Sequence, residues 1–327
     1  MKHILLIGAG FSKNWGGWLS KEVFEYLLGC KEIQQNTLLK ALLWRSLENK
    51  TGFENVLAIL NQEFKTTPSI ENKNQLKSIE NCIIEMFKEM NEGFSKDLNW
   101  DENHDLTRNF LTRFDGIFSL NQDLLLEHHY INDNIMLIKH GSKKWLGASL
   151  PGVERIAVHD KNPSAILKPT SKEFFTIAPN HQPIIKLHGS SNWVSGDQKR
   201  VLILGGDKIK QLSNFELLNW YYQLFSDHLC QGSKLMIIGY GFQDEHINQA
   251  IQNGIENGLK IFVIAPEGPE LAISMNESKN KALIQYETNL EIMFKEALIG
   301  ASRMPIRETF NSKQNAEFKK VIRFFDN

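Results

Sequence analysis

The 327-residue chain has 42% hydrophobic and 23% charged residues, which is ordinary for a globular protein and excludes the disordered and fibrous classes. Its 37 Lys and Arg residues nearly balance 38 Asp and Glu residues, so no overall basic charge favours direct binding of nucleic acid. The three cysteines, Cys30, Cys82 and Cys230, are far apart and form no CxxC pair. This excludes a disulfide framework and a cysteine zinc site, and favours a reducing cytoplasmic location.

Five short apolar runs, each closed by a turn signal, are typical of buried strands in a parallel sheet. The first run is too short for the core of a signal peptide, and no apolar window approaches the roughly 20 residues that span a bilayer. Helical patterns lie between most of the runs, which predicts a Rossmann-like, doubly wound α/β sheet that binds ligands at the carboxyl ends of its strands. The predicted strands are His3–Gly8, Gly116–Asn121, Pro183–His188, Leu235–Gly239 and Leu259–Ala265.

About a hundred residues without a strand signal separate the first two predicted strands. Apolar residues recur there at three-to-four spacing, as from Phe53 to Leu60, so we predict a helical insertion over residues 20–112. Residues 136–180 are rich in Gly, Ser, Pro and Lys, which predicts loops with one or two short strands over the edge of the sheet. Because no linker is visible, residues 1–327 are predicted to form a single domain.

A glycine pair follows the first predicted strand at once. Glycines at such a turn let backbone N–H groups approach a pyrophosphate, and the start of the next helix favours negative charge. However, Lys13 stands where the dehydrogenase pattern GxGxxG would need a third glycine, and the phosphate loop GxxxxGK[ST] is absent. A simple tight turn from strand to helix therefore remains an alternative. The motif is Gly8-Ala9-Gly10-Phe11-Ser12.

Polar residues end the second and third predicted strands. The amide of Asn121 and the imidazole of His188 would converge on one crevice, because neighbouring strand ends meet at the same edge of a sheet. Each also has a plainer interpretation, since Asn121 and Asp123 could cap the next helix and His188 could be a structural histidine. The adjacent His128 and His129 could be imagined as metal ligands, but adjacent side chains diverge on a helix, which favours a solvated helix face.

Taken together and in this order, the motifs resemble those of the sirtuin family and its bacterial sirtuin-like relatives. The sirtuin pattern is a GAG-x-S loop, then a T-Q-N-x-D strand end, then a catalytic histidine followed by glycine. In this chain the corresponding residues are Gly8–Ser12, Ser119–Asp123, and His188 with Gly189. The resemblance covers residues 4–266.

A fourth sirtuin element is a glycine-rich strand end that meets the phosphates and adenosine ribose of the cofactor. It would correspond to Gly239-Tyr240-Gly241-Phe242, and its continuation through Asp244 looks more like the NAD-hydrolysing sirtuin-like (Sir2-like) proteins of bacterial antiphage defence than like the deacetylases. Classical sirtuins carry a four-cysteine zinc module beside the peptide cleft, which three scattered cysteines cannot build. Deacylation is therefore in doubt.

The resemblance implies an NAD⁺ site in which Asn121 and His188 are catalytic. Asn121 would position the nicotinamide ribose or the attacking water, and Asp123 would hold the carboxamide. His188 would contact the ribose hydroxyls as general base, a role that suits histidine because its ordinary pKa lies near working pH. Asp244 also has the position of an N-cap for the following helix. No metal ligand is expected, and the expected cofactor-binding residues are Gly8, Ala9, Gly10, Phe11, Ser12, Asp123, Gly189, Gly239, Gly241 and Asp244.

The implied activity is that of an NAD⁺ glycohydrolase (NADase), a hydrolase that yields nicotinamide and ADP-ribose and depletes NAD⁺ in antiphage defence. Such an activity is toxic, and the chain shows no separate sensor domain. We therefore expect control by a homo-oligomer or by a sensor or regulatory partner protein, with residues 136–180 moving over the cofactor site. Two alternatives stay open: an NAD-dependent protein deacylase or ADP-ribosyltransferase, and a non-catalytic nucleotide-sensing module.

Overall fold

The computed structural model describes residues 1–49, 51–96, 104–131, 137–138, 144–156, 162, 164–197, 199–205, 208–274, 287–311 and 315–326. The strands within these ranges are β1 (His3–Ile7), β2 (Gly116–Ser119), β3 (Leu137–Ile138), β4 (Lys144–Trp145), β5 (Gly147–Ser149), β6 (Val153–Arg155), β7 (Leu167–Pro169), β8 (His181–Lys186), β9 (Gly189–Val194), β10 (Arg200–Leu202), β11 (Lys234–Ile238), β12 (Lys260–Ile264) and β13 (Leu298–Ser302).

Helices connect these strands. They are α1 (Ala9–Lys13), α2 (Ser20–Gly29), α3 (Lys31–Gln34), α4 (Thr37–Glu48), α5 (Phe53–Thr66), α6 (Ile70–Lys96), α7 (His104–Leu111), α8 (Leu125–His129), α9 (Lys208–Leu212), α10 (Glu216–His228), α11 (Glu245–Glu256), α12 (Leu271–Ser274), α13 (Asn289–Ala297), α14 (Ile306–Thr309) and α15 (Ala316–Ile322). Short 3₁₀ turns span Lys172–Phe174, Gly268–Glu270 and Arg323–Phe325.

A seven-stranded parallel sheet forms the centre of the molecule, in the order β13-β12-β11-β1-β2-β8-β5. The chain passes from β1 to β2 on one side and returns later to β11 on the other side. The strand order therefore reverses beside β1, and at such a point the carboxyl ends of neighbouring strands open a crevice for ligands. The predicted Rossmann-like, doubly wound α/β fold is confirmed.

Both faces of the sheet are covered, which explains why its central strands are apolar runs rather than alternating ones. Leu5 and Ile7 of β1 pack into a core shared with the helices between β1 and β2. Ile4 and Leu6 face the opposite way, into a core shared with α10, α11 and α13. Each fully buried side chain of this size contributes about 1.5–3 kcal/mol to the free energy of unfolding.

The region between β1 and β2 is helical, in agreement with the predicted insertion, and after α1 it consists of α2 to α7 with no strand among its described residues. Its longest helix, α6, presents a buried apolar face that runs from Ile79 to Phe94. This face packs against α2, α3 and α5. The three-to-four spacing in the sequence therefore marks the packed side of real helices.

The five predicted strands correspond to β1, β2, β8, β11 and β12, with end points shifted by at most two residues. The prediction allowed for short edge strands within residues 136–180, where β5 lies, but gave no position for β5 and missed β13, because their sequences GAS and LIGAS are not apolar runs. It also missed a second, four-stranded sheet in the order β10-β9-β7-β6. Two of its strands, β6 and β7, precede β8 in the chain, and β9 follows β8 after a turn at Leu187 and His188.

Candidate functional site

The carboxyl ends of the central strands open into one cleft with a volume of about 1940 Å³. This is larger than the roughly 300–1,000 Å³ of typical small-ligand sites. One wall belongs to the helical insertion, which contributes apolar side chains from α2, α5 and α6. The residues that follow the central strands directly and line the floor are Gly8, Leu120, His188, Gly239 and Ala265, and the insertion side chains include Phe24, Phe53, Met86, Phe87 and Met90.

Residues 136–180, which were expected to lie over the cofactor site, contribute to the edge of the central sheet and to the second sheet where the structure describes them. None of the described residues within 136–180 lines the cleft. Gly147–Ser149 instead pairs with the outer side of β8, and Val153–Arg155 and Leu167–Pro169 belong to the second sheet. The wall over the floor is the helical insertion, and the rest of 136–180 lies outside the described residues.

The glycine loop after β1 is held by backbone contacts with the loop after β11. Gly10 donates its N–H to the carbonyl of Gly239 at 2.9 Å, and Gly8 donates to the carbonyl of Ile238 at 2.9 Å. A Cβ on Gly10 would lie 2.6 Å from the Cα of Gly239, whose φ is +63°. These glycines are therefore required for the close approach of two loops. Gly8, Ala9 and Gly10 line the cleft, but the N–H groups of Gly8 and Gly10 already bond within the protein, contrary to the expected approach to a pyrophosphate.

Phe11 and Ser12 lie beneath the floor rather than on it. Phe11 is fully buried and packs against the ring of Trp15 with centroids 5.1 Å apart. Ser12 is also buried, and its Oγ donates to Oδ2 of Asp123 at 2.8 Å while it accepts from Nδ2 of Asn121 at 2.9 Å. Neither residue lines the cleft. Ser12 therefore positions two side chains that do.

Asn121 follows β2, and two hydrogen bonds fix the nitrogen of its side-chain amide. Its Nδ2 donates to the backbone oxygen of Gly8 at 3.0 Å and to Oγ of Ser12 at 2.9 Å, which uses both amide hydrogens. Among the described residues, no hydrogen bond reaches Oδ1. The side chain is buried and lines the cleft, so Oδ1 can accept a hydrogen bond from a bound hydroxyl or water.

Asp123 joins the floor to the start of α8. Its Oδ1 accepts from the backbone N–H of Leu125, the first residue of α8, at 3.1 Å, although Leu124 rather than Asp123 holds the N-cap position. Its Oδ2 accepts from Ser12. Burial raises the pKa of the Asp123 carboxyl, with Lys186 opposing the shift. Asp123 also lines the cleft and can contact a ligand only through the lone pairs that these two bonds leave.

A buried ion pair lies directly behind Asp123, and the sequence analysis did not find it. Lys186 is 2% exposed and donates to Oε1 of Glu127 at 2.6 Å and to the backbone oxygen of Asp123 at 2.6 Å. Burial raises the pKa of the Glu127 carboxyl, and Lys186 opposes that shift. The only signal for this pair is a lysine that follows the apolar residues Pro183, Ile184 and Ile185 in β8.

His188 follows β8 and is 3% exposed. Its Nε2 lies 3.2 Å from Nε2 of His246. Burial lowers the pKa of His188 to about 3, although Asp244 opposes the shift. The expectation of a pKa near working pH is therefore wrong, because it used the ordinary value for an exposed imidazole, and the ring is neutral at physiological pH.

Asp244 stands at the N-cap position of α11, as predicted, but its side chain makes no capping hydrogen bond. It pairs instead with Lys208, which also bonds Oε2 of Glu54 at 3.0 Å. Burial acts to raise the pKa of the Asp244 carboxyl, but the neighbouring His188 and Lys208 outweigh it and the pKa is lowered. Burial acts to lower the pKa of Lys208, but Glu54 and Asp244 raise it. Since Glu54 lies on α5, this network joins the insertion to the floor.

His246 was not singled out from the sequence. Burial lowers its pKa, with Asp244 opposing the shift. Together with His188 and Asp244 it forms a group that could hold a metal ion, since one ligand atom from each residue lies within 4.8 Å of the others. All three residues line the cleft.

The remaining predicted residues divide between the floor and the packing behind it. Gly241 is exposed and lines the cleft. Gly189 does not line it; its φ is +76°, and a Cβ there would overlap the carbonyl oxygen of Val201. The adjacent His128 and His129 diverge, but they are half-buried rather than solvated, and His129 Nε2 lies 2.7 Å from the carbonyl oxygen of Phe94.

A family model described as SIR2-like domain matches residues 115–293. This is more than half of the chain, and it contains Asn121, His188 and Asp244. A search of curated proteins gives no match. No helix in the described ranges is long and apolar enough to cross a membrane. The chain therefore belongs to the SIR2-like domain family, whose members are typically NAD⁺-dependent enzymes that use NAD⁺ as a substrate.

Proposed function

We propose that the chain is an NAD⁺ glycohydrolase that produces nicotinamide and ADP-ribose, and that it acts as an NAD-depleting effector of bacterial antiphage defence. The observation that carries the proposal is the convergence of Asn121 and His188 on the floor of one cleft. One side chain presents an amide oxygen, and the other is a neutral imidazole. Both belong to the part of the chain that matches the SIR2-like domain.

The chemistry needs little acid catalysis, because the leaving group is a cationic pyridinium that departs as neutral nicotinamide. The ribose passes through a transition state with oxocarbenium character. The protein must therefore orient the ribose and a water molecule, and accept a proton late in the attack. Oδ1 of Asn121 accepts a hydrogen bond from the water or from a ribose hydroxyl.

His188 acts in this scheme as a neutral hydrogen-bonding group. With a pKa of about 3 it is a weak base. A weak base suffices, because water becomes strongly acidic as it bonds to a carbon that carries positive charge. His188 therefore contacts the ribose hydroxyls and receives the proton only as the new C–O bond forms.

We propose that NAD⁺ lies across the switch point of the sheet. Gly8, Ala9, Gly10, Gly239 and Gly241 supply a floor with little side-chain volume, which the diphosphate can approach closely. Asp123 would hold the carboxamide and Asp244 the adenosine end. Phe11, Ser12 and Gly189 would support these groups from behind. Residues 1–327 would form one domain, in which the helical insertion encloses the bound dinucleotide.

The proposal is tested by incubating the purified chain with NAD⁺ and separating the products by chromatography. We expect nicotinamide and ADP-ribose in equal amounts, at a rate that an acyl-lysine peptide does not change. Nicotinamide release that requires the peptide would replace the proposal with a deacylase. ADP-ribose transferred from NAD⁺ to a protein would indicate an ADP-ribosyltransferase. Saturable binding of NAD⁺ without any product would indicate a sensing module.

We further propose that activity is controlled by assembly with a second copy or with a regulatory partner protein. The wall of the cleft is a helical insertion that the sheet itself does not need, and its outer helix α4 exposes Leu38 and Trp44 at 55% and 46%. An assembly that shifts this insertion would alter the cleft, provided that it binds the active conformation more tightly than the inactive one. Specific activity should then rise with protein concentration or with added partner. A dilute monomer with full activity, insensitive to both, would refute this control.

A further inference from the structure

Two imidazoles and one carboxylate converge at the back of the cleft, which is more than the cleavage of NAD⁺ requires. We propose that His188, Asp244 and His246 form a binding site for Zn²⁺ and that the bound ion inhibits the enzyme by occupying His188. The inhibitory consequence rests on the proposed function. The metal site itself does not.

The geometry of the donor atoms suits a small four-coordinate ion. Zn²⁺ binds His nitrogen and Asp oxygen at about 2.0–2.2 Å, usually with tetrahedral geometry, so two of its ligand atoms lie about 3.3–3.5 Å apart. The Nε2 atoms of His188 and His246 face each other at 3.2 Å. A ligand oxygen of Asp244 completes a group that lies within 4.8 Å. Only small side-chain movements are needed to surround an ion.

The surroundings leave an entry path and an open coordination position. All three residues line the cleft, so an ion can reach them from solvent. Three protein ligands with a fourth position left to water are typical of exchangeable or catalytic zinc sites, whereas structural zinc sites are closed by four protein ligands. The absence of a cysteine quartet from the sequence therefore does not count against this site.

The local charge also favours a divalent cation. Lys208 pairs with Asp244 and with Glu54, so two carboxylates and one ammonium leave one negative charge beside the imidazoles. Lys208 takes Oδ1 of Asp244 and leaves Oδ2 for an ion. The proximity of the ammonium weakens the attraction, so removal of Lys208 should strengthen metal binding.

Hydrogen bonds fix the backbone that carries two of the ligands. The backbone N–H of Asp244 donates to the hydroxyl of Tyr240 at 3.0 Å, and the hydroxyl of Tyr222 donates to the backbone oxygen of His246 at 3.1 Å. A backbone held in this way limits the movement by which Asp244 and His246 could separate from the ion.

The metal site is tested on the full chain, purified without a metal-affinity tag and treated with a chelator. Zn²⁺ is titrated by calorimetry, and Co²⁺ by the visible absorption of its four-coordinate complex. We expect one ion per chain, with affinity lowered at least about 10-fold in His246→Gln and in Asp244→Asn. Lys208→Met should bind Zn²⁺ more tightly.

The control variant His228→Gln removes a histidine that bonds Leu224 on α10, and it should bind Zn²⁺ as the unmodified chain does. Equal affinity in His246→Gln and the unmodified chain, or no saturable binding, would show a hydrogen-bonded histidine pair only and overturn the site.

The inhibitory role is tested separately by NAD⁺ turnover. Zn²⁺ should lower turnover at the concentration at which it binds, a chelator should restore it, and the residual turnover of His246→Gln should resist Zn²⁺. Zn²⁺ binding by a chain that never cleaves NAD⁺ would refute the proposed function and leave the metal site intact. Undiminished turnover in a fully Zn²⁺-bound chain would overturn the inhibition.

Discussion

Asn121→Ala and His188→Ala should each lower NAD⁺ turnover by about 10²- to 10⁴-fold, the usual loss for a group that transfers or directs a proton. The variants should still fold, because each side chain lies at the surface of the cleft floor rather than within the apolar core. His188→Ala leaves His246 without its neighbour. Asn121→Ala leaves the carbonyl of Gly8 and the hydroxyl of Ser12 without one donor, so a modest loss of stability should accompany the loss of turnover.

The decisive measurement is kcat and KM for NAD⁺ together with the thermal midpoint of each variant. Loss of an interaction made only in the transition state lowers kcat and kcat/KM equally, and we expect this pattern for both. Asn192→Ala and His228→Ala are matched controls, since neither residue lines the cleft. Turnover close to that of the unmodified chain in either site variant would remove that residue from the proposed mechanism.

The apolar strands could be predicted from the sequence because burial on both sides of the sheet imposes a local pattern. Gly300 of β13 shows why an edge strand escapes a prediction based on that pattern. A Cβ there would meet the ring of Phe262 at 2.6 Å, so an edge strand must carry a residue that the pattern of buried strands does not contain. The register of such a strand depends on its neighbour, which the local sequence does not record.

The floor of the candidate site was predictable in part for the same reason. Strand ends mark where polar residues converge, and Asn121, His188 and Gly239 all line the cleft. The ion pairs of Lys208 with Asp244 and Glu54 could not be predicted. Lys208 and Glu54 are distant in the chain, and neither residue stands in a motif. Gly189 illustrates the opposite limit, since a residue within a motif can serve packing alone.

The pKa of His188 was mispredicted because the ordinary pKa of an imidazole says nothing about burial. Desolvation disfavours the charged form, and this effect dominates when a ring is nearly inaccessible to water. The sequence shows only that His188 ends an apolar run. The extent of its burial depends on β9, His246 and the loop after β11, which are assembled only in the folded chain.

Lys186→Met should lower the free energy of unfolding by about 3–5 kcal/mol, the usual cost of leaving one member of a buried ion pair alone. Lys186 and Glu127 are 2% and 6% exposed, so water cannot replace the lost partner. The double variant Lys186→Met, Glu127→Leu should recover much of this loss, because an apolar pair needs no desolvation of charge. It should not recover all of it, because the backbone oxygen of Asp123 also loses its donor.

The pH dependence separates this explanation from a general packing defect. Burial already raises the pKa of the Glu127 carboxyl, and loss of Lys186 removes the charge that most opposes that shift. A carboxyl whose pKa is higher in the folded than in the unfolded chain adds most to the free energy of unfolding below its unfolded pKa of about 4.3. As the pH rises from the unfolded pKa to the folded pKa, this stabilisation is lost. Denaturant unfolding should therefore show Lys186→Met losing stability between about pH 5 and 8, whereas the double variant, which lacks the Glu127 carboxyl, should lose less over this range. A loss under about 1 kcal/mol, or one independent of pH, would show that the pair does not stabilise the loop that carries Asn121 and Asp123.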